Sequence, residues 1–184
     1  MDLLPRLELS FGTIIPSLTV ALEPYCTRFG VPYLAVHVPL ALVSLAGWLG
    51  LQILSILLTP YVYPPYKQLP RKTRISWHVH LVALVHALVI TPLAAAQWYA
   101  VRQGGGLEGG SHPLAKNRTY GYTVEAGNVY AVTLGYFIWD LVVSALYDGP
   151  AFVAHGAVAM IAFTFVYVGV VTNAQCLNRG VTDI

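Results

Sequence analysis

Three long stretches of the chain contain no Asp, Glu, Lys or Arg: from Arg28 to Lys67, from Arg74 to Arg102, and from Asp148 to Arg179. Each exceeds the roughly 20 residues needed to cross about 30 Å of hydrocarbon as a helix. A water-exposed domain needs charge over its surface, about a quarter of its residues. Here 57% of the 184 residues are hydrophobic and only 10% are charged, with mean hydropathy +0.63. The expected fold is therefore all-α: a polytopic transmembrane helix bundle of about four spanning helices, preceded by an N-terminal interfacial segment. In a bilayer only helices and closed barrels satisfy their own backbone groups, and long unbroken apolar runs select helices.

The spans follow from the punctuation. Residues 1–30 mix apolar residues with Pro5, Pro16 and Pro24 and suit a short interfacial or re-entrant segment. A first span is expected from about Pro32 to Thr59, kinked at Pro39 and stopped by Pro60, Pro64 and Pro65, with Tyr61, Tyr63 and Tyr66 at headgroup level. A second runs from about Ile75 to Tyr99 with a bend at Pro92. A third, from about Asn128 to Tyr147, carries Asp140. The turn Asp148-Gly149-Pro150 leads to a fourth, from about Ala151 to Thr172. The domain division is 1–30 as interfacial segment, 31–172 as transmembrane domain and 173–184 as a short tail.

The loop from Tyr66 to Arg74 carries Lys67, Arg71, Lys72 and Arg74 and no acid, which expects it on the cytoplasmic face. The Gly-rich loop 102–125 then lies on the lumenal side, where the sequon Asn117-Arg118-Thr119 is readable. The net charge of +2 is too small to imply nucleic acid. Cys26 and Cys176 form no CxxC pair, so no metal or redox motif is indicated. Neither a nucleophilic-serine elbow nor a phosphate loop is present, and no cofactor is expected.

Polar residues at bilayer depth carry the functional information. An ionised carboxylate there costs about 2.5–3.5 kcal/mol on insertion scales. Asp140 is thus a site facing the bundle interior, a structural residue tying helices together, or a residue near enough the interface to be wet. Across the turn at Asp148–Gly149, His155 differs from it in depth by only about 3 Å at about 1.5 Å per residue. The two could pair, neutralising the carboxylate or poising the imidazole as a base. His78 and His80, directly after the basic loop, read as wet interfacial histidines, whereas His86 lies deeper. His78 and His86 stand two turns apart, and the HxxxH spacing of a helical metal site is missing. His37 in the first span is open to both readings.

Several segments together resemble the TLC (TRAM–Lag1–CLN8) domain family, most of all its uncharacterised fungal members. They are the basic entry Arg71-Lys72-Thr73-Arg74-Ile75-Ser76-Trp77-His78-Val79-His80, the pair His86-Ala87, Gly121-Tyr122, the run Gly135-Tyr136-Phe137-Ile138-Trp139-Asp140-Leu141, and His155. The resemblance covers about residues 30–172 and implies a membrane protein of the endoplasmic reticulum acting in lipid homeostasis. Its partners would be membrane lipids, with sphingolipid or acyl-CoA as candidates. His86, Tyr136 and Trp139 are then expected to bind lipid or serve as structural polar residues. Ceramide synthases in this family join an acyl group from acyl-CoA to a sphingoid base. By that alternative His155 is the catalytic base and Asp140 its orienter. Those enzymes carry two adjacent histidines where this chain reads His155-Gly156, so the second is missing. Family members also continue into at least one more helix, so the domain is expected to be incomplete at its C-terminus.

Overall fold

The computed structural model describes residues 16–104, 111–116 and 121–168. The sequon at Asn117, residue Cys176 and the tail 173–184 lie outside the described residues, as do residues 1–15 of the interfacial segment. Helix α1 spans Pro16–Arg28, α2 Leu34–Val62, α3 Arg71–Gln103, α4 Pro113–Lys116, α5 Val124–Tyr147 and α6 Pro150–Phe165, with a 3-10 turn at Pro64–Gln68 between α2 and α3. No strand occurs among the described residues. Helices α2, α3 and α5 are long and apolar enough to cross a membrane. The expected fourth span corresponds to α6, whose 16 described helical residues reach about 24 Å at about 1.5 Å per residue. The all-α membrane bundle expected from the charge-free stretches is the fold observed.

Local chemistry sets the boundaries. Gly30 at φ +76° takes the left-handed conformation that ends α1. Thr123 caps α5 by accepting from the Ala126 N–H at 3.2 Å, and Glu125 sits in the first turn, where an acid suits the helix dipole. Pro150 opens α6, a position where its missing N–H costs nothing. Several boundaries differ from expectation: α3 runs on to Gln103 and α5 starts already at Val124, and two further shifts have a local cause. Helix α2 runs through Pro60 to Val62, because Tyr63 still donates to the Thr59 carbonyl and holds the last turn. Helix α3 starts at Arg71 rather than Ile75: Pro70 fixes its N-terminus, so Arg71, Lys72 and Arg74 form its first turn instead of a loop.

Helix α5 is the axis of the bundle and packs on α2, α3 and α6. Its residues Gly127, Ala131 and Gly135 repeat every four positions, the small-residue spacing that lets membrane helices approach closely. A Cβ on Gly135 would stand 2.5 Å from the Ala41 carbonyl oxygen and 2.8 Å from the Leu45 nitrogen. Just beside this approach Ser44 donates to the Val132 carbonyl (2.9 Å) and accepts from Trp48 Nε1 (2.8 Å). Leu49, Ile53, Leu57, Leu84 and Leu88 are exposed on the outer faces, as residues meeting hydrocarbon should be.

Candidate functional site

Helices α3 and α6 both pack on α5 but make little contact with each other, leaving a cleft between them that α5 floors. At the basic end the cleft holds a cavity of about 740 Å³. Arg71 and Lys72 from the first turn of α3 stand at its mouth, with Asp148 from the end of α5. Deeper, Ser76, His80 and Ala83 of α3 face Ser144, Asp140 and Tyr136 of α5, and Phe152 of α6 supplies an apolar wall. Tyr136, Asp140 and Ser144 recur every four positions and so share one helix face. None of the three side chains forms a hydrogen bond within the described residues. His80 donates from Nδ1 to the Ser76 carbonyl at 2.7 Å. In the neutral ring that tautomer leaves Nε2 as an acceptor.

Above this cavity the cleft is aromatic. His86 lies flat against Tyr136, with ring centroids 3.8 Å apart and planes 8° from parallel. Trp48 meets the His86 ring edge-on at 5.5 Å, and Phe137 does so at 6.4 Å. Phe137 also meets His155 edge-on at 6.3 Å, so it stands between the histidines of α3 and α6. The Nε2 atom of His86 is buried with no hydrogen-bond partner within the described residues.

Of the residues singled out from sequence, His86, Tyr136, Asp140 and His155 border this one cleft. Trp139 does not. Its ring is 1% exposed and its Nε1 donates to Gln52 Oε1 at 2.9 Å, on the α2 side of α5. Asp140 and His155 are close enough for their charges to interact, but no hydrogen bond joins them. The His155 side chain is exposed. Asp140 Oδ2 instead lies 3.4 Å from the point a Cβ on Gly156 would occupy, and the Leu141 Cα lies 3.3 Å from it. Gly156 is thus where α6 closes on α5.

Two other histidines are buried in hydrogen-bonded networks. His37, 1% exposed, donates from Nδ1 to Asn128 Oδ1 (3.0 Å) and accepts at Nε2 from the Tyr122 hydroxyl (2.6 Å). Burial, reinforced by neighbouring Tyr33 and Glu125, pushes the Tyr122 hydroxyl up to about 12, so it stays a donor at neutral pH. Tyr167 closes the group by donating to the Gly127 carbonyl at 2.8 Å. At the basic end His78 sits between Ser55 Oγ (2.7 Å) and Tyr66 Oη (2.5 Å). The expectation of a wet interfacial His78 is therefore corrected. The 3-10 turn folds Tyr66 back over α3 and seals the ring to 3% exposure. His80, two residues on, points away from this network and is exposed, as expected.

Sequence reasoning had passed over Lys72, Ser76, His80 and Ser144 as parts of the cleft. The four-residue repeat Tyr136, Asp140, Ser144 was the signal that could have found its α5 wall. Among the described residues no three metal-ligating side chains converge.

The model of the TLC domain, TRAM_LAG1_CLN8, matches residues 76–184. An uncharacterized TLC domain-containing protein of Schizosaccharomyces pombe is 33% identical over 161 residues, which are 84% of this chain and 52% of that protein. The chain thus spans about half the length of this curated relative. No solved structure matches.

Proposed function

Since the chain belongs to the TLC domain family, we propose that it is a multi-pass protein of the endoplasmic reticulum that acts in membrane lipid homeostasis by recognising a lipid in the α3–α6 cleft. The domain carrying this role is the transmembrane region 31–172. One observation carries the reading: a largely apolar cavity with a few placed polar groups and a cationic mouth, bordered by aromatic rings, lies between two helices that barely touch. Such a cleft opens sideways, so a lipid can enter from the bilayer without leaving it. A pocket lined mainly by apolar groups with a few placed polar ones is the usual form of a small-molecule site. His86 and Tyr136 line its aromatic part, whereas Trp139 serves the α2–α5 contact.

Lipid mass spectrometry on protein purified in mild detergent tests this. The expected result is one lipid class enriched over the bulk membrane, and lost when Tyr136→Ala and Lys72→Gln are combined. Lipid of bulk composition in both samples would sink the reading.

The alternative reading, acyl transfer from acyl-CoA to a sphingoid base, draws on His155 and Asp140 bordering the same cleft. The close seat of Gly156 against Leu141 and Asp140 weighs against it, since any side chain at that position would press on both. Turnover of labelled acyl-CoA and sphingoid base by the purified protein, abolished by His155→Ala, would establish the alternative instead.

A further inference from the structure

The cleft's polar groups are graded by depth. At the mouth stand two cations, Arg71 and Lys72, against the single carboxylate Asp148. They sit on the first turn of α3, where unpaired backbone N–H groups also favour an anion. Farther in, the polar groups change character. Asp140 lies eight residues from Asp148 and His80 nine from Arg71, about 12–14 Å along their helices at about 1.5 Å per residue. The long stems of Arg71 and Lys72 can close part of that distance. The Asp140 carboxylate accepts, and so does His80 Nε2 in the neutral ring whose Nδ1 donates to the Ser76 carbonyl. Beyond them come the Tyr136 ring and the aromatic, laterally open part of the cleft.

Resting on the lipid-recognition reading above, we infer that the cleft takes a lysophospholipid: a phosphate at Arg71 and Lys72, a free glycerol hydroxyl that donates its one hydrogen to the Asp140 carboxylate, and one acyl chain leaving past Tyr136. The order of groups in that lipid, anion then hydroxyl then chain, is the order of groups along the cleft. A diacyl phospholipid offers an ester at the hydroxyl's place. The ester has no donor, so it would set its lone pairs against the Asp140 carboxylate and leave that group desolvated and unpaired. A site built for a hydroxyl rejects an analogue lacking it more strongly than an apolar pocket rejects a size change.

The test uses the full chain in dodecyl maltoside micelles with three probes of matched chain: oleoyl lysophosphatidylglycerol, dioleoyl phosphatidylglycerol and monooleoylglycerol. Binding is read as the shift in thermal unfolding against probe concentration. The lysolipid should bind about tenfold or more tightly than either competitor, the effect of about one charge-assisted hydrogen bond. Lys72→Gln should weaken lysolipid binding about tenfold and leave monooleoylglycerol unchanged. Asp140→Ala should abolish the preference for the lysolipid over the diacyl lipid. If Asp140→Ala does not fold, Arg71→Gln, an exposed position, tests the phosphate arm instead: lysolipid binding should weaken about tenfold and monooleoylglycerol binding should not change. Diacyl binding as tight as lysolipid binding, or full affinity in Lys72→Gln, overturns the inference while leaving lipid recognition standing. Failure of all three probes to bind overturns both.

Discussion

His86 stacks on Tyr136 with ring centroids 3.8 Å apart, and yet its Nε2 is buried without a partner within the described residues. The stack and the bare nitrogen act in opposite directions on stability. An offset or parallel ring pair adds about 0.5–1.5 kcal/mol beyond its buried area. A buried polar atom left unpaired costs about 1–3 kcal/mol.

Replacing His86 by Phe keeps the stack and removes the unpaired nitrogen. The melting temperature of His86→Phe in detergent should therefore hold or rise, whereas Tyr136→Ala should lose about 3 kcal/mol or more. Thermal unfolding of the two variants side by side decides. A drop in His86→Phe as large as that in Tyr136→Ala would show that Nε2 has a partner after all.

Gly135 and Gly50 make a matched pair for the α2–α5 approach. A methyl on Gly135 would meet backbone atoms of α2 at 2.5 and 2.8 Å, and backbone has nowhere to go, while a methyl on Gly50 meets nothing within 4 Å. Overpacking of this kind costs about 1–3 kcal/mol. Gly135→Ala should lower stability by that amount. Gly50→Ala should be neutral or stabilise by up to about 1 kcal/mol, the difference in helix propensity. Equal effects at both sites would argue that α2 and α5 do not pack here.

The helical bundle could be read from sequence because long charge-free runs admit few alternatives in a bilayer. The α5 face could have been read as well, since Gly127, Ala131 and Gly135 mark one stripe and Tyr136, Asp140 and Ser144 mark another. What sequence left open was rotation and the closing of loops. Depth along the two helices expects Asp140 and His155 at one level, but depth does not say which way a side chain points. Gly156 took the position against Asp140, and His155 turned to Phe137. His78 shows the second gap. Nothing local announces that a Pro-rich 3-10 turn will carry Tyr66 back over it, because that contact depends on how two helices meet.

Ser55 and Tyr66 hold His78 from opposite sides, and through it they join α2, the 3-10 turn and α3. Tyr66→Phe leaves one ring nitrogen buried and unpaired, at about 1–3 kcal/mol. The same change made in a His78→Leu background removes no bond and should cost much less. A double-mutant cycle on thermal unfolding should give an interaction of at least about 1 kcal/mol, outside the range expected of independent sites. Simple additivity would mean that the ring is solvated rather than clasped.

Gly156 sets how closely α6 can lie on α5 at the level of Asp140. Its missing Cβ would meet Leu141 Cα at 3.3 Å and Asp140 Oδ2 at 3.4 Å. A methyl there asks its neighbours to yield by only a few tenths of an ångström, so Gly156→Ala should cost less than about 1 kcal/mol. An imidazole needs far more room, and the atom at closest range belongs to a backbone that yields only if α6 shifts. Gly156→His should therefore lose about 1–3 kcal/mol, within the cost of inserting bulk into a packed interface. It should also fail to confer acyl transfer on the purified protein. Both are read on one preparation, by thermal unfolding and by labelled acyl-CoA turnover. A Gly156→His variant that melts like the parent and turns over acyl-CoA would show that α6 stands away from α5. The pairing of α5 and α6 described here would then be wrong at the one place where the cleft is narrowest.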